Sequence, residues 1–191
     1  MDQLVTILWV RPVYRTKQSY AVQTERICNT PAFSHASDLF FMTAIFVDAD
    51  ACSVKAEVEQ VATRHKVQIY IVSNGGLRLS QNPLVHTIIV PDGPDVADMW
   101  IAERAGAGDV VITADIPLAS KCIEQGSLVL KHTGEVLSAA NIGNILATRD
   151  LMSDLRAANP FRQGDGKSFT KSDRSRFLDV LENTLREVKA G

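Results

Sequence analysis

The stretch AIFVDADACSVKAEVEQVATRHKVQIYIVS, residues 44–73, decides the fold. It opens on a short apolar run, Ala44 to Val47, which ends in Asp48-Ala49-Asp50. From Ser53 to His65 the apolar residues Val54, Val58 and Val61 recur at helical spacing, and Val67 to Ser73 is again β-rich. Strand, helix and strand in succession imply parallel pairing, with functional groups gathered at the carboxyl ends of the strands.

The alternation continues downstream. Asn74-Gly75-Gly76 is turn chemistry, His86 to Val90 a further strand, and Pro91 to Pro94 a turn leading into a helix over Asp95 to Ala105, ended by Gly106 and Gly108. Asp109 to Thr113 is predicted as a strand, Pro117 to Glu124 as a helix with Pro in its first turn, and Ser127 to Leu130 as a last short strand. Asn141 to Arg156 and Lys171 to Lys189 have helical period and are separated by a polar Gly-rich loop, Asn159 to Lys167. The expected architecture is an α/β three-layer sandwich with a mainly parallel central sheet and added C-terminal helices.

Residues 1–41 read differently. Met1 to Val10 is apolar, but Arg11, Arg15 and Lys17 follow that run where a secretory signal would place its charges first, and Pro12 to Leu39 has no sustained period. We expect a poorly ordered N-terminal extension or a start assigned too early, ahead of an α/β domain over 42–191; the alternative is an edge strand through Val5, Ile7, Leu8 and Val10.

At 191 residues with 46% hydrophobic content, the chain can bury a core without disulfides or structural metal. No run reaches the roughly 18 apolar residues of a membrane span. A net charge of -2 gives no global attraction to a polyanion, so nucleic-acid binding would require a local basic patch, and no cluster of aromatic residues marks a stacking platform. Cys28, Cys52 and Cys122 show neither zinc nor disulfide spacing, which fits a reducing cytoplasm; Cys52 reads as a small buried filler. His65, His86 and His132 are scattered and read as surface or satisfied residues.

The informative feature is where the acids fall. Asp48 and Asp50, two apart at a strand end, leave the same face. Asp95 and Asp98 share one face at the start of a helix, and Asp115 follows another strand. Each has an ordinary structural reading: Asp95 or Asp115 as a helix cap, Asp98 as a partner of the helix dipole, Asp48 with Asp50 as turn formers. Their common direction favours one site. Carboxylates that share a site repel, and a bound cation relieves them; oxygen donors without His or Cys suit Mg or Mn.

Asp48-Ala49-Asp50-Ala51-Cys52, Pro94-Asp95-Val96-Ala97-Asp98 and Gly108 to Ala119, with Thr113-Ala114-Asp115-Ile116-Pro117 inside it, carry a family pattern. It continues through Ser73-Asn74, Leu77-Arg78, Gly134-Glu135, Arg149 to Met152, Asp154 to Arg156, Asp173-Arg174 and Phe177. Together these stretches, over about residues 43–187, resemble the YaiI/YqxD family of uncharacterised bacterial proteins, itself similar to the wider PIN/NYN nuclease-like superfamily. Ser53 stands where members usually carry Pro. The resemblance implies a PIN-like sheet with acidic metal ligands at its carboxyl edge: Asp48, Asp95 and Asp115 first, Asp50 and Asp98 in addition, with Thr113 as the small hydroxyl before the last acid.

RNA as a substrate calls for further cations, and Lys55, Arg78, Lys121, Arg149, Arg156 and Arg174 are the candidates, with Asn74 able to orient substrate or water. The leading expectation is a metal-dependent phosphodiesterase or ribonuclease. A haloacid-dehalogenase-type phosphatase would use Asp48 and Asp50 as nucleophile and acid and Ser73-Asn74-Gly75 as its second motif, but the order of the later Lys and acids argues against it. A non-catalytic nucleic-acid or protein binding module of the same fold is the third reading. The sequence leaves the oligomeric state open.

Overall fold

The computed structural model describes residues 43–49, 53–76, 79–158 and 169–190, all within the unit Phe40–Gly191. The expectations for residues 1–41, Asp50, Cys52, Arg78 and the loop Asn159 to Lys167 lie outside the described residues.

The elements follow in the order β1 (Ala44–Asp48), α1 (Lys55–His65), β2 (Gln68–Ser73), β3 (Val85–Ile89), α2 (Val96–Ala102), β4 (Val110–Ile112), α3 (Ile116–Glu124), β5 (Leu128–Leu130), β6 (Val136–Leu137), α4 (Ile142–Ala158) and α5 (Lys171–Ala190). The sheet order is β3-β2-β1-β4-β5-β6. All pairs are parallel except β5 with β6. Two differences from the expected elements have local causes. The helix expected over Asp95 to Ala105 begins at Val96, because Asp95 takes a left-handed backbone (φ 59°) that cannot continue a helix, and ends at Ala102, beyond which the chain tightens into a turn with the Arg104 amide on the Ile101 carbonyl (3.0 Å). The antiparallel β6 follows the strand expected to be last and is too short to show alternation.

Alternation along the strands sends side chains to two separate cores. Ile45, Val47, Ile69, Ile71, Val110 and Ile112 meet Val54, Val58 and Val61 of the α1 segment and Phe177, Leu181 and Leu185 of α5. On the other face Phe46, Val72, Val111 and Val129 meet Ala97 and Ile101 of α2, and Leu118, Ala119 and Cys122 of α3, with Ile142, Ile145 and Leu146 of α4 packed alongside. Each fully buried large side chain contributes about 1.5–3 kcal/mol. The amino end of β4 is held by the buried Asp109, whose Oδ1 accepts from the Ala44 amide (3.0 Å) and whose Oδ2 accepts from the Gly106 amide (2.9 Å).

A parallel sheet has all its carboxyl ends at one edge, so α1, α2 and α3 all begin there, after β1, β3 and β4 respectively. The chain order reverses direction between β1 and β4, and a crevice opens outside their ends.

The β5–β6 turn is fixed by Gly134, which has φ +79°; a Cβ there would lie 2.9 Å from the Arg176 carbonyl carbon and the Phe177 amide nitrogen. Gly134→Ala should cost about 1–3 kcal/mol, from overpacking against backbone that cannot yield. Gly143→Ala, in α4 with nothing within 4 Å of the added methyl, should instead gain about 0.5–1 kcal/mol. Urea unfolding of the two variants beside the parent checks both signs.

Candidate functional site

The crevice between β1 and β4 is built around Thr113, which follows β4 directly and is fully buried. Its hydroxyl donates to Asp48 Oδ2 at 2.9 Å and accepts from the Asp115 amide at 3.0 Å. The parallel register that sets Val47 beside Ile112 makes this contact possible, because Asp48 and Thr113, the next residue on each side, must then lie side by side. Asp48 is buried, with only 4% of its surface exposed.

Asp115 is the N-cap of α3, and its Oδ1 accepts from the Leu118 amide at 2.8 Å. The ordinary reading of this residue as a cap is therefore correct as far as one oxygen goes. Asp95 is different. It precedes α2 in the left-handed region, and its side chain makes no capping hydrogen bond. Asp tolerates that backbone better than most residues, yet the conformation still costs free energy, and helix capping does not account for it.

Asp98, in the first turn of α2, records how the acids stand to one another. Its carboxyl is pushed up to about 6, first by burial and then by the negative charges of Asp115, Asp48 and Asp95, with Lys121 pulling the other way. Four carboxylates from three separate junctions thus share one electrostatic neighbourhood. Cys122 lies just beneath; burial and the Asp98 charge push its thiol up to about 12, which makes it an inert core residue.

The donors are oxygens alone, the chemistry that suits Mg or Mn, and the mutual repulsion is of the kind that a cation relieves. Spacing is less favourable: among the described residues no three His, Cys, Asp or Glu side chains are arranged to hold a metal ion. The acids are neighbours without forming a closed coordination shell.

The expected phosphate contacts divide. Lys55 opens α1 and Asn74 follows β2, both at the carboxyl edge, while Lys121 faces solvent on α3. Arg174 is engaged elsewhere, its Nε 2.8 Å from Oε1 of the buried Glu57. Arg149 is on α4 with Asp150 as a solvent-exposed partner at 3.2 Å, and Arg156 is on the same helix.

Sequence reasoning missed an aromatic ladder. Phe46, Tyr70 and His86 occupy the same register position on β1, β2 and β3 and stack at 5.3 and 5.1 Å between centroids. Trp100 tilts against Phe46 and Tyr70, with the Arg104 guanidinium 4.2 Å above its ring. Burial holds the His86 pKa below its ordinary value. Rings far apart in sequence meet here through strand register, and the ladder packs into the core, where Phe46 is buried.

The family described as Uncharacterized BCR, YaiI/YqxD family matches residues 46–187. The chain belongs to this family. A UPF0178 protein of Roseobacter denitrificans is 76% identical over 147 residues, covering 77% of this chain and 97% of that protein. Similar proteins of the same designation occur in Ruegeria pomeroyi (68% identical; 78% and 97% covered) and Parvibaculum lavamentivorans (52%; 78% and 97%). No solved structure gives a significant match. Among the described residues no helix is long and apolar enough to cross a membrane.

In this YaiI/YqxD chain the raised Asp98 carboxyl means that the folded state binds more protons than the unfolded state between about 4 and about 6. Its contribution to stability is therefore least unfavourable below the ordinary carboxylate range and becomes a full penalty above pH 6. Asp98→Asn should be more stable than the parent at pH 7.5, and that advantage should shrink as the pH falls through 6 and be gone near 4. Urea midpoints over this range check it; an advantage independent of pH would mean that the charge of Asp98 is not its source.

Proposed function

We propose that the chain is a divalent-metal-dependent phosphodiesterase that acts on RNA in the cytoplasm. The reading is carried by one observation: the junctions after β1, β3 and β4 bring Asp48, Asp95, Asp98 and Asp115 into one neighbourhood, where burial first and then Asp115, Asp48 and Asp95 raise Asp98 and Lys121 offsets only part of it, in the crevice where parallel sheets bind ligands. Holding like charges together costs free energy, and catalysis is a reason for a protein to keep them.

In this reading Asp48, Asp95 and Asp115 hold Mg or Mn, and Asp50 and Asp98 add negative charge around it. A divalent cation there would offset the repulsion, neutralise developing charge on a phosphoryl group and lower the pKa of water. The chain's own groups do the positioning. Thr113 fixes one oxygen of Asp48 and the amide of Asp115 through its single hydroxyl. Asn74, Arg78, Lys55, Arg149 and Arg174 are the proposed contacts to substrate, with Arg174 having to exchange Glu57 for a phosphate. A binding module without catalysis is the second reading, favoured by the absence, among the described residues, of any three groups already set to hold a metal.

The test is to incubate the full chain with labelled single-stranded RNA, DNA and a chromogenic phosphomonoester, with Mn and with chelator. Strand cleavage abolished by chelator and by Asp48→Asn is expected. Thr113→Val, which removes the hydroxyl but keeps the shape, should weaken Mn binding by about 10–100-fold, read as the Mn concentration giving half-maximal thermal stabilisation. Monoester turnover alone points to a phosphatase, and RNA binding without cleavage to the module.

A further inference from the structure

A shallow groove of about 520 Å³, open along most of its length to solvent, lies on the carboxyl side of the sheet. One wall begins at Ala114, between Thr113 and Asp115, so the groove adjoins the crevice directly. Lys131, the residue that follows β5 at the carboxyl edge, lines it. The opposite wall is one face of α4, where Asn144, Thr148 and Met152 recur every fourth position and Arg149 stands beside them.

The chemistry of this lining is opposite to that of the crevice. Its polar side chains are the Lys131 ammonium, the Arg149 guanidinium, the Asn144 amide and the Thr148 hydroxyl, the last already donating to the Asn144 carbonyl (2.7 Å), and no carboxylate is among the described lining residues. Lys131 pairs with Glu135 (2.8 Å) and Arg149 with Asp150 (3.2 Å), but in both pairs the acid is well exposed. Exposed pairs of this kind are worth about 0–1 kcal/mol, so exchanging them for a phosphate is cheap. Met152, half exposed, offers a polarisable apolar surface at the end of the groove.

We propose that this groove is a binding track for the phosphodiester backbone of single-stranded nucleic acid, with Lys131 and Arg149 on its phosphates and the Asn144 amide as an added donor. A net charge of -2 gives no global attraction to a duplex, whereas a narrow pair of cations in a shallow groove suits one strand. The inference rests on the proposed phosphodiesterase reading for its orientation toward the acids, but the binding itself is measured without catalysis.

The experiment uses the full chain in chelator, with fluorescent single-stranded RNA, single-stranded DNA and duplex as probes, and follows anisotropy across a salt series. The double variant Lys131→Ala/Arg149→Ala should weaken single-strand binding by at least about tenfold. It should also flatten the plot of log affinity against log salt by about 1.4, since each single-strand phosphate that is no longer neutralised removes roughly 0.7 from the slope. Lys131→Arg/Arg149→Lys should keep affinity and slope, and Arg186→Ala on α5 should leave both unchanged. The proposal is overturned if the alanine pair binds with the parent's affinity and slope, if duplex is preferred, or if neither single strand binds. Metal-dependent cleavage by a chain whose alanine pair binds normally would remove the groove and leave the phosphodiesterase; a flattened slope without cleavage would do the reverse.

Discussion

The parallel pairing of β1 with β4 is the constraint on which the crevice depends. It brings residues far apart in sequence into adjacent rows, and the two positions just past the paired segment become Asp48 and Thr113. One hydroxyl then serves two partners, donating to a buried carboxylate and accepting from the backbone of the loop that leads into α3. If the register shifted by one residue, Thr113 would point to the other face and Asp48 would lose that donor in a buried setting, where each lost hydrogen bond to a charge costs free energy.

Around that link the fold concentrates charge where dispersing it would be cheaper. The helix N-termini at the same edge offset part of the repulsion through their dipoles, and the amide of Leu118 takes one oxygen of Asp115. The offset is incomplete, as the upward shift of Asp98 records. Asp95 adds a second unfavourable term through its left-handed backbone. The two penalties lie a few residues apart at the same edge of the sheet; the other left-handed non-glycine among the described residues, Lys66, closes α1 at its far end.

Much of this was legible in the sequence. The βαβ rhythm of residues 44–73 and the period of α1, α3 and α5 gave their elements to within a residue or two, because burial on two faces leaves a pattern in the apolar residues. The positions of the acids at strand and helix junctions were legible for the same reason. The backbone of Asp95 was not, since nothing local distinguishes an acid that caps a helix from one that stands before it in the left-handed region. The ladder of Phe46, Tyr70 and His86 and the groove lined by Lys131 and α4 both depend on which strands become neighbours, and a single sequence does not state register.

The shortness of β6 has a consequence for how the molecule behaves in a crowded solution. A strand at the rim of a sheet is a template onto which another chain can zip, and its reach is set by how many backbone groups it leaves open in a row. Val136–Leu137 supplies only two residues and runs against the direction of its neighbours. The long parallel sheet is thereby stopped on that flank by brevity and reversal, and a passing polypeptide finds too little ladder there to climb.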